Sequence, residues 1–473
     1  MTNENLSELL AALSSTDEPV SPAGPIDERL QEILTDLARR PVPVHSLHRL
    51  WTLSELSAQI ALAYSALWVR QWFADAETRK RRTMETNLRI ALRMFHRLGY
   101  LRGAMTKLGQ IAGNLPHIVP REIADTLEHL QFEAPPMHYA LIREVMVNEL
   151  GKEPEQLFAS FDREAFAAAS LGQVHRARLH SGETVAVKIQ YPGIARTIDA
   201  DFRNLSSLLF PLRLSSDWEF VKAQFAEVRR MLKQEVDYRQ EAESMRKASA
   251  LFQPEDGVLI PRVYDEYSGG RVLTTEFLKG SHLKEFLATD PPQALRNQFG
   301  TALYRSQLRM YFAYMNYADP HAGNYLFLDD GRLGLLDFGC VQYYSEEERE
   351  LLTVSMRAIE GDETAFQRLV ELACAVRPGE PGSDNYFRLS HQSFDWMMEP
   401  LRASGPFDFG DEGHLKRGFA WFSEMVGQRM LRGHPTYVYF NRCAFGVKAL
   451  LYRLRAQVDL RSLHAEERSR WRP

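Results

Sequence analysis

The stretch Asp319-Pro320-His321-Ala322-Gly323-Asn324, then Tyr325 to Phe327, the turn Asp329-Asp330-Gly331, Leu333 to Leu336 and Asp337-Phe338-Gly339, decides how the 473-residue chain is read. Two short apolar runs flank an Asp-Gly turn, which predicts a β-hairpin. Residues able to act as a base or to bind a metal stand at both ends of it. An Asp, four intervening residues and an Asn let one loop offer a base and a metal ligand. A hairpin ending in Asp-Phe-Gly then offers a second ligand, and phosphoryl transfer uses this arrangement. A lone Asp-Phe-Gly carries little, and an Asx residue before Pro often only caps a turn. Together at this spacing they outweigh that reading.

Upstream, Val185-Ala186-Val187-Lys188-Ile189 places a lysine inside a β-branched run, where its charge needs a negative partner. In the Val-Ala-x-Lys pattern a strand lysine reaches the α and β phosphates of a nucleotide while a helical glutamate holds it. Ahead of it lies Ala167-Ala168-Ala169-Ser170-Leu171-Gly172-Gln173-Val174, at the place of a glycine-rich phosphate loop. Small side chains still let backbone N–H groups approach phosphate, but alanine lacks the positive-φ freedom of glycine, so a stiffer loop is expected. Around these motifs, Phe161–Phe166, Val174–Leu179, Thr184–Gln190, Val258–Val263 and Arg271–Phe277 read as strands. Asp199–Phe210, Phe220–Ala250 and most of the chain from Pro291 onward read as helix. An early sheet and a later helical body make a two-lobed α+β plan.

Composition sets the outer bounds. With 45% hydrophobic, 25% charged and 11% aromatic residues the chain is globular, not globally disordered. A net charge of -5 gives no whole-molecule reason to bind nucleic acid. The three cysteines, Cys340, Cys374 and Cys443, form no C-x-x-C pair, and His175 and His321 have no metal-ligand neighbours in sequence, so neither a disulfide framework nor zinc is expected. Glu4 and Glu8 stand where a secretory signal needs basic residues, and Leu56–Val69 is too short to span a bilayer, so a cytoplasmic chain is expected. Eight acids against the single Arg29 in residues 1–36 predict a mobile acidic arm over 1–45. Arg89, Arg93 and Arg97 repeat along one helical face, which either is solvated or makes peripheral contact with an anionic membrane.

Six motifs taken in order resemble the UbiB/AarF family of atypical kinases: Lys107-Leu108-Gly109-Gln110, the Ala167–Val174 loop, Lys188 in its Val-Ala-Val-Lys context, Glu235-Val236-Asp237-Tyr238, Asp319–Asn324 and Asp337-Phe338-Gly339. The resemblance implies a protein-kinase-like fold with a helical extension over 46–155, an N-lobe with inserted helices over 156–280, and a helical C-lobe with extra C-terminal helices over 281–473. It implies an enzyme using ATP and Mg2+, with ATPase activity and support of isoprenoid-quinone biosynthesis or lipid homeostasis. Carried over, Lys188 binds the phosphates, Asn324 and Asp337 hold magnesium, and Asp319 orients the acceptor hydroxyl or water. Ala167, Ala168, Ala169, Ser170, Gln173 and Val174 lie over the phosphates. Backbone groups of Glu276 and Leu278 meet adenine, with Thr275 guarding the pocket. Lys107 and Gln110 enter from the extension, and Glu235 and Asp237 receive them or Lys188.

On one continuous helix Glu235 and Asp237 diverge by about 200°, whereas Asp237 and Glu241 share a face, so the acid that holds Lys188 stays open. Tyr317 stands where many relatives carry His and Ala322 where Pro is common, and the long separation of Lys188 from the acids implies an inserted helix near Asp199–Arg213. Two functions remain: hydrolysis or transfer to a small or lipid-like acceptor, and a nucleotide-sensing scaffold without productive transfer.

Overall fold

Strict alternation in Thr184-Val185-Ala186-Val187-Lys188-Ile189-Gln190 sends Val185, Val187 and Ile189 to one buried face and Ala186 and Lys188 to the other. A computed structural model describes residues 137–473 apart from 170, 196–197, 199–225, 227–228, 375–378, 380–382, 428–434 and 472–473. The acidic arm 1–45, the extension up to residue 136 with Lys107, Gln110 and the Arg89–Arg97 face, Ser170, and the expected inserted helix near Asp199–Arg213 lie outside the described residues.

Helix α1 (Tyr139–Leu150) and the turn α2 (Pro154–Leu157) precede β1 (Ser160–Phe161), β2 (Ala167–Ala169), β3 (Gly172–Arg178) and β4 (Thr184–Gln190). Then follow α3 (Tyr238–Ser249), β5 (Val258–Leu259), β6 (Val272–Glu276), β7 (Gly280–Ser281), α4 (Leu283–Ala288), α5 (Gln293–Phe312) and β8 (Met315–Tyr317). The first sheet runs β1-β3-β4-β6 and is antiparallel, with β2 pairing the opposite end of β3 from β1. Ala177, Val185, Val187, Ile189 and Val272 pack against Ile142, Val145 and Met146 of α1. Burial of each such side chain contributes about 1.5–3 kcal/mol.

The alanine-rich segment is not a loop but a hairpin: Ala167 pairs with Val174, Ala168 with Gln173 and Ala169 with Gly172. Gly172 is what permits it, because a Cβ there would collide with the Ile189 carbonyl on β4. The helix expected over Phe220–Ala250 is also interrupted. Asp237 accepts hydrogen bonds from the N–H groups of Arg239 (3.1 Å) and Gln240 (3.4 Å), which starts α3 afresh at Tyr238.

In the C-terminal half, β9 (Tyr325–Leu328) and β10 (Leu333–Leu335) form the expected hairpin and extend it into a sheet of order β5-β10-β9-β7. Strand β11 (Val341–Tyr343) pairs with β8. Behind them α5 is the hub, its Phe299, Leu303 and Met310 packing with Phe286, Phe327 and Leu335. Helices α6 (Glu346–Ile359), α7 (Glu363–Cys374), α8 (Ser383–Arg402), α9 (Glu412–Gly427) and α10 (Pro435–Leu454) follow, with β12 (Phe407–Asp408) pairing β13 (Gln457–Val458) and α11 (Leu460–Arg470) at the end. Among the described residues no helix is long and apolar enough to cross a membrane.

Candidate active site

Lys188 reaches from β4 to α3 and to the end of the β9–β10 hairpin. Its Nζ donates to both carboxylate oxygens of Glu241, at 2.9 and 3.0 Å, and to Asp337 Oδ2 at 3.2 Å. The ring of Tyr238 lies under the same ammonium, 5.0 Å away. Burial penalises this charge, but Asp337 and Glu241 outweigh the penalty and hold the ammonium well above the usual lysine range. Glu241 itself sits in the opposite balance. Burial, aided by the Asp337 carboxylate and opposed by Lys188, pushes its carboxyl up to about 7.

Neither acid proposed from the sequence holds the lysine. Asp237 is exposed and spends its carboxylate on the cap of α3. Glu235 is buried, at 3% exposure, and borders the site from the other side. A Cβ placed on Gly339 would lie 3.3 Å from Glu235 Cγ, 3.3 Å from Asp337 Oδ1 and 3.6 Å from Glu241 Oε2. Among the described residues, the side chains of Glu235, Glu241 and Asp337 thus border the Asp-Phe-Gly turn together.

The loop before the hairpin closes on itself. The Asp319 carbonyl accepts from the His321 N–H (2.8 Å) and from Asn324 Nδ2 (2.9 Å), which leaves the Asn324 side-chain oxygen as that residue's acceptor. Asn324 is joined to the next motif through its own carbonyl, which accepts from the Leu336 N–H at 3.0 Å, one residue before Asp337. Tyr317 fills the core beneath both: its buried ring meets Phe338 edge-on at 5.1 Å. Cys443 of α10 donates to the Tyr317 carbonyl (3.0 Å) and to Asn316 Oδ1 (2.9 Å), and Gly446 lies against Pro320 so closely that a Cβ would overlap its ring.

Opposite the hairpin, Val174 and Ala186 share the Lys188 face of the sheet with Thr275 on β6, since Val174 pairs with Lys188 and Ala186 with Thr275. Ala186 was not singled out in the sequence, although its place two residues before Lys188 on an alternating strand puts it there. Gln173 falls on the other face. Its side chain accepts from the Met137 N–H (2.8 Å) and meets His175 Nε2 (2.7 Å) behind the sheet, so it does not share the face of Lys188. Glu276 donates its N–H to the Arg262 carbonyl (2.8 Å) and accepts from the Arg262 N–H on its side chain (3.3 Å), with Leu278 just beyond the strand end.

An oxygen-rich corner suits a hard divalent cation. Among the described residues no group of three His, Cys, Asp or Glu side chains forms a closed metal cage. Asn324 and Asp337 together match a Mg2+ ion, which keeps water and phosphate ligands beside one or two protein groups.

Lysine strand, glutamate helix and Asp-Phe-Gly hairpin define a kinase-like fold. The ABC1 atypical kinase-like domain family matches residues 129–370, and the chain belongs to this family of UbiB/AarF atypical kinases. It is similar to the mitochondrial atypical kinase COQ8 of Schizosaccharomyces pombe, 33% identical over 316 residues, 66% of this chain and 51% of that protein. It is also similar to the mitochondrial atypical kinase coq-8 of Caenorhabditis elegans, 29% identical over 447 residues, 92% of this chain and 58% of that protein. The chain therefore spans about half the length of these curated relatives. Among solved structures, Rv3197 of Mycobacterium tuberculosis in complex with erythromycin shares 25% identity and a TM-score of 0.54, covering 82% of this chain and 97% of that one.

Proposed function

We propose that the chain binds Mg-ATP between the Lys188 sheet and the Asp319–Gly339 segment, and hydrolyses it or transfers its terminal phosphoryl group to a small or lipid-like acceptor. The observation that carries this reading is Lys188 held between Glu241 and Asp337, the arrangement that places a phosphate-binding ammonium beside a magnesium ligand. Asn324 and Asp337 would hold Mg2+, which supplies positive charge against the phosphates when bound. Lys188 neutralises the α and β phosphates, and Asp319 orients the attacking hydroxyl or water. The hairpin formed by β2 and β3 lies over the phosphates through its backbone. Val174, Ala186 and Thr275 form the apolar wall for the base, with Glu276 and Leu278 offering backbone groups at its edge. The family resemblance assigns Lys107 and Gln110 to the same chemistry; both lie outside the described residues.

The names of the relatives and the family resemblance support a role in isoprenoid-quinone biosynthesis, and the sequence repeat of Arg89, Arg93 and Arg97 supports a peripheral contact with an anionic membrane. The test is phosphate release from Mg-ATP by the purified protein, with and without anionic liposomes, beside an Asp337→Asn control. Release that drops by roughly 100-fold or more in the control, as expected for loss of preorganised charge, supports the enzyme. ATP binding with no release under any condition overturns it in favour of a nucleotide-sensing scaffold.

A further inference from the structure

Glu241 and Ser244 are three residues apart and share one face of α3. Glu241 faces Lys188 and the Asp-Phe-Gly turn, and also accepts from the Phe338 N–H at 3.4 Å. Ser244, buried to 2% exposure, accepts at 2.9 Å from the hydroxyl of Tyr343, six residues beyond Asp337 at the end of β11. The Tyr343 ring is 38% exposed, and Lys247, one turn beyond Glu243 on α3, stands 4.9 Å over it. At the other end α3 is fixed by the Tyr238 N–H on the Gly270 carbonyl (3.2 Å), and the residue before its cap by Gln190 on the Val236 carbonyl (2.9 Å). Glu241 therefore lies between two anchors, one in the sheet that carries Lys188 and one in the strand that leaves Asp337.

Tyr343 belongs to a third connection as well. In the β11–β8 ladder it is paired with Met315, while Val341 is paired with Tyr317, two residues before Asp319. The three segments that carry Glu241, Asp337 and Asp319 thus meet at one residue, through its hydroxyl and its backbone. An aromatic ring at a half-exposed strand end needs no hydroxyl for its packing. A hydroxyl that reaches a buried serine on the glutamate helix is a tie between elements.

We propose that Tyr343 is a positioning residue, whose hydroxyl bond to Ser244 sets α3 so that Glu241 holds Lys188. The inference rests on the nucleotide-binding reading for its consequence in activity but not for its geometry. Removing the hydroxyl leaves the ring on β11 and the cation of Lys247 above it, and frees only the tie. With the tie gone, α3 loosens between Glu241 and its C-terminal end, and the Lys188–Glu241 pair opens more often.

Two readouts on the full chain separate this from the reading beneath it. The first is acylation of Lys188 by a small succinimidyl ester without nucleotide, followed by peptide mass spectrometry, with exposed Lys284 as the internal reference. In Tyr343→Phe and in Ser244→Ala, Lys188 should react roughly two- to ten-fold faster than in the parent, the weight of one net hydrogen bond, with Lys284 unchanged. The double variant should go no further than either single one, because both remove the same bond. The second is the Km for ATP in phosphate release, which should rise in both single variants. Unchanged Lys188 reactivity in both variants, or additive effects in the double variant, overturns the inference. Faster Lys188 reactivity in a protein that neither binds nor hydrolyses ATP sustains the tie and overturns the nucleotide reading alone.

Discussion

Glu241 must be anionic to hold Lys188, in a place that resists the charge. Burial and the Asp337 carboxylate push its carboxyl up to about 7, above the roughly 4.3 of an unperturbed glutamate. Below about 7 the carboxyl takes up a proton and Lys188 loses one of the two carboxylates that position it; above 7 the pair is complete. ATP affinity is therefore expected to fall as the pH is lowered from 8 to 6, by up to about ten-fold per unit below the midpoint. The nucleotide's own phosphate titrates in the same range, so Glu241→Gln is the control. It should bind ATP more weakly at pH 8 and lose this part of the pH dependence, as calorimetric titration across the range would report. Equal pH profiles in both proteins would falsify the assignment of Glu241.

At the scale of elements, the contact between α10 and the Asp319 loop is a rigid one. Gly446 meets the Pro320 ring, and neither a proline ring nor a helix backbone can swing away as a long side chain would. Gly446→Val should force the two apart and destabilise the protein by about 1–3 kcal/mol. Turnover should fall further than that loss of folded protein explains, because the displaced loop carries Asp319. A thermal melt beside a turnover assay separates the two effects. Much of this layout is legible in sequence. The Asp-Gly turn between apolar runs announces β9 and β10, and alternation around Lys188 announces β4 at its observed ends. What escapes is set by contacts remote in sequence. Three alanines carry no strand signal, and β2 forms because Gly172 lets β3 close on β4. The break at Asp237 escapes because apolar periodicity runs through it, while the capping bonds depend on the side chain turning back to its own backbone. Once Asp237 is a cap, Glu241 in the first turn is the acid left facing the sheet. Counting β3 from Gly172 in place of Val174 also puts Gln173 with His175 and Ala177 on the apolar face.

Across the whole molecule, the family match ends at residue 370, yet α11 at the far C-terminus is wired into the centre. Arg309, buried in the hub helix α5, donates to both oxygens of Glu467 on α11, at 2.7 and 2.6 Å, and to both oxygens of Asp256 before β5. Arg305 joins the same cluster, its Nε 3.3 Å from Glu467. A guanidinium taken out of water is tolerated only while its partners stay. Removing Glu467 leaves Arg309 with Asp256 alone, which costs up to the roughly 3–5 kcal/mol of a broken buried pair. Glu467→Ala should therefore lower Tm on the order of 3–7 °C, and Glu467→Gln, which keeps an acceptor for Arg309, should lower it less. The same α5 supports β8, the strand that leads into the Asp319 loop, through Met310 and Met315 in one core cluster. A melt of Glu467→Ala that stays cooperative and moves downward as one transition makes α11 part of the catalytic body. A first transition that leaves nucleotide binding intact would instead make it a peripheral attachment.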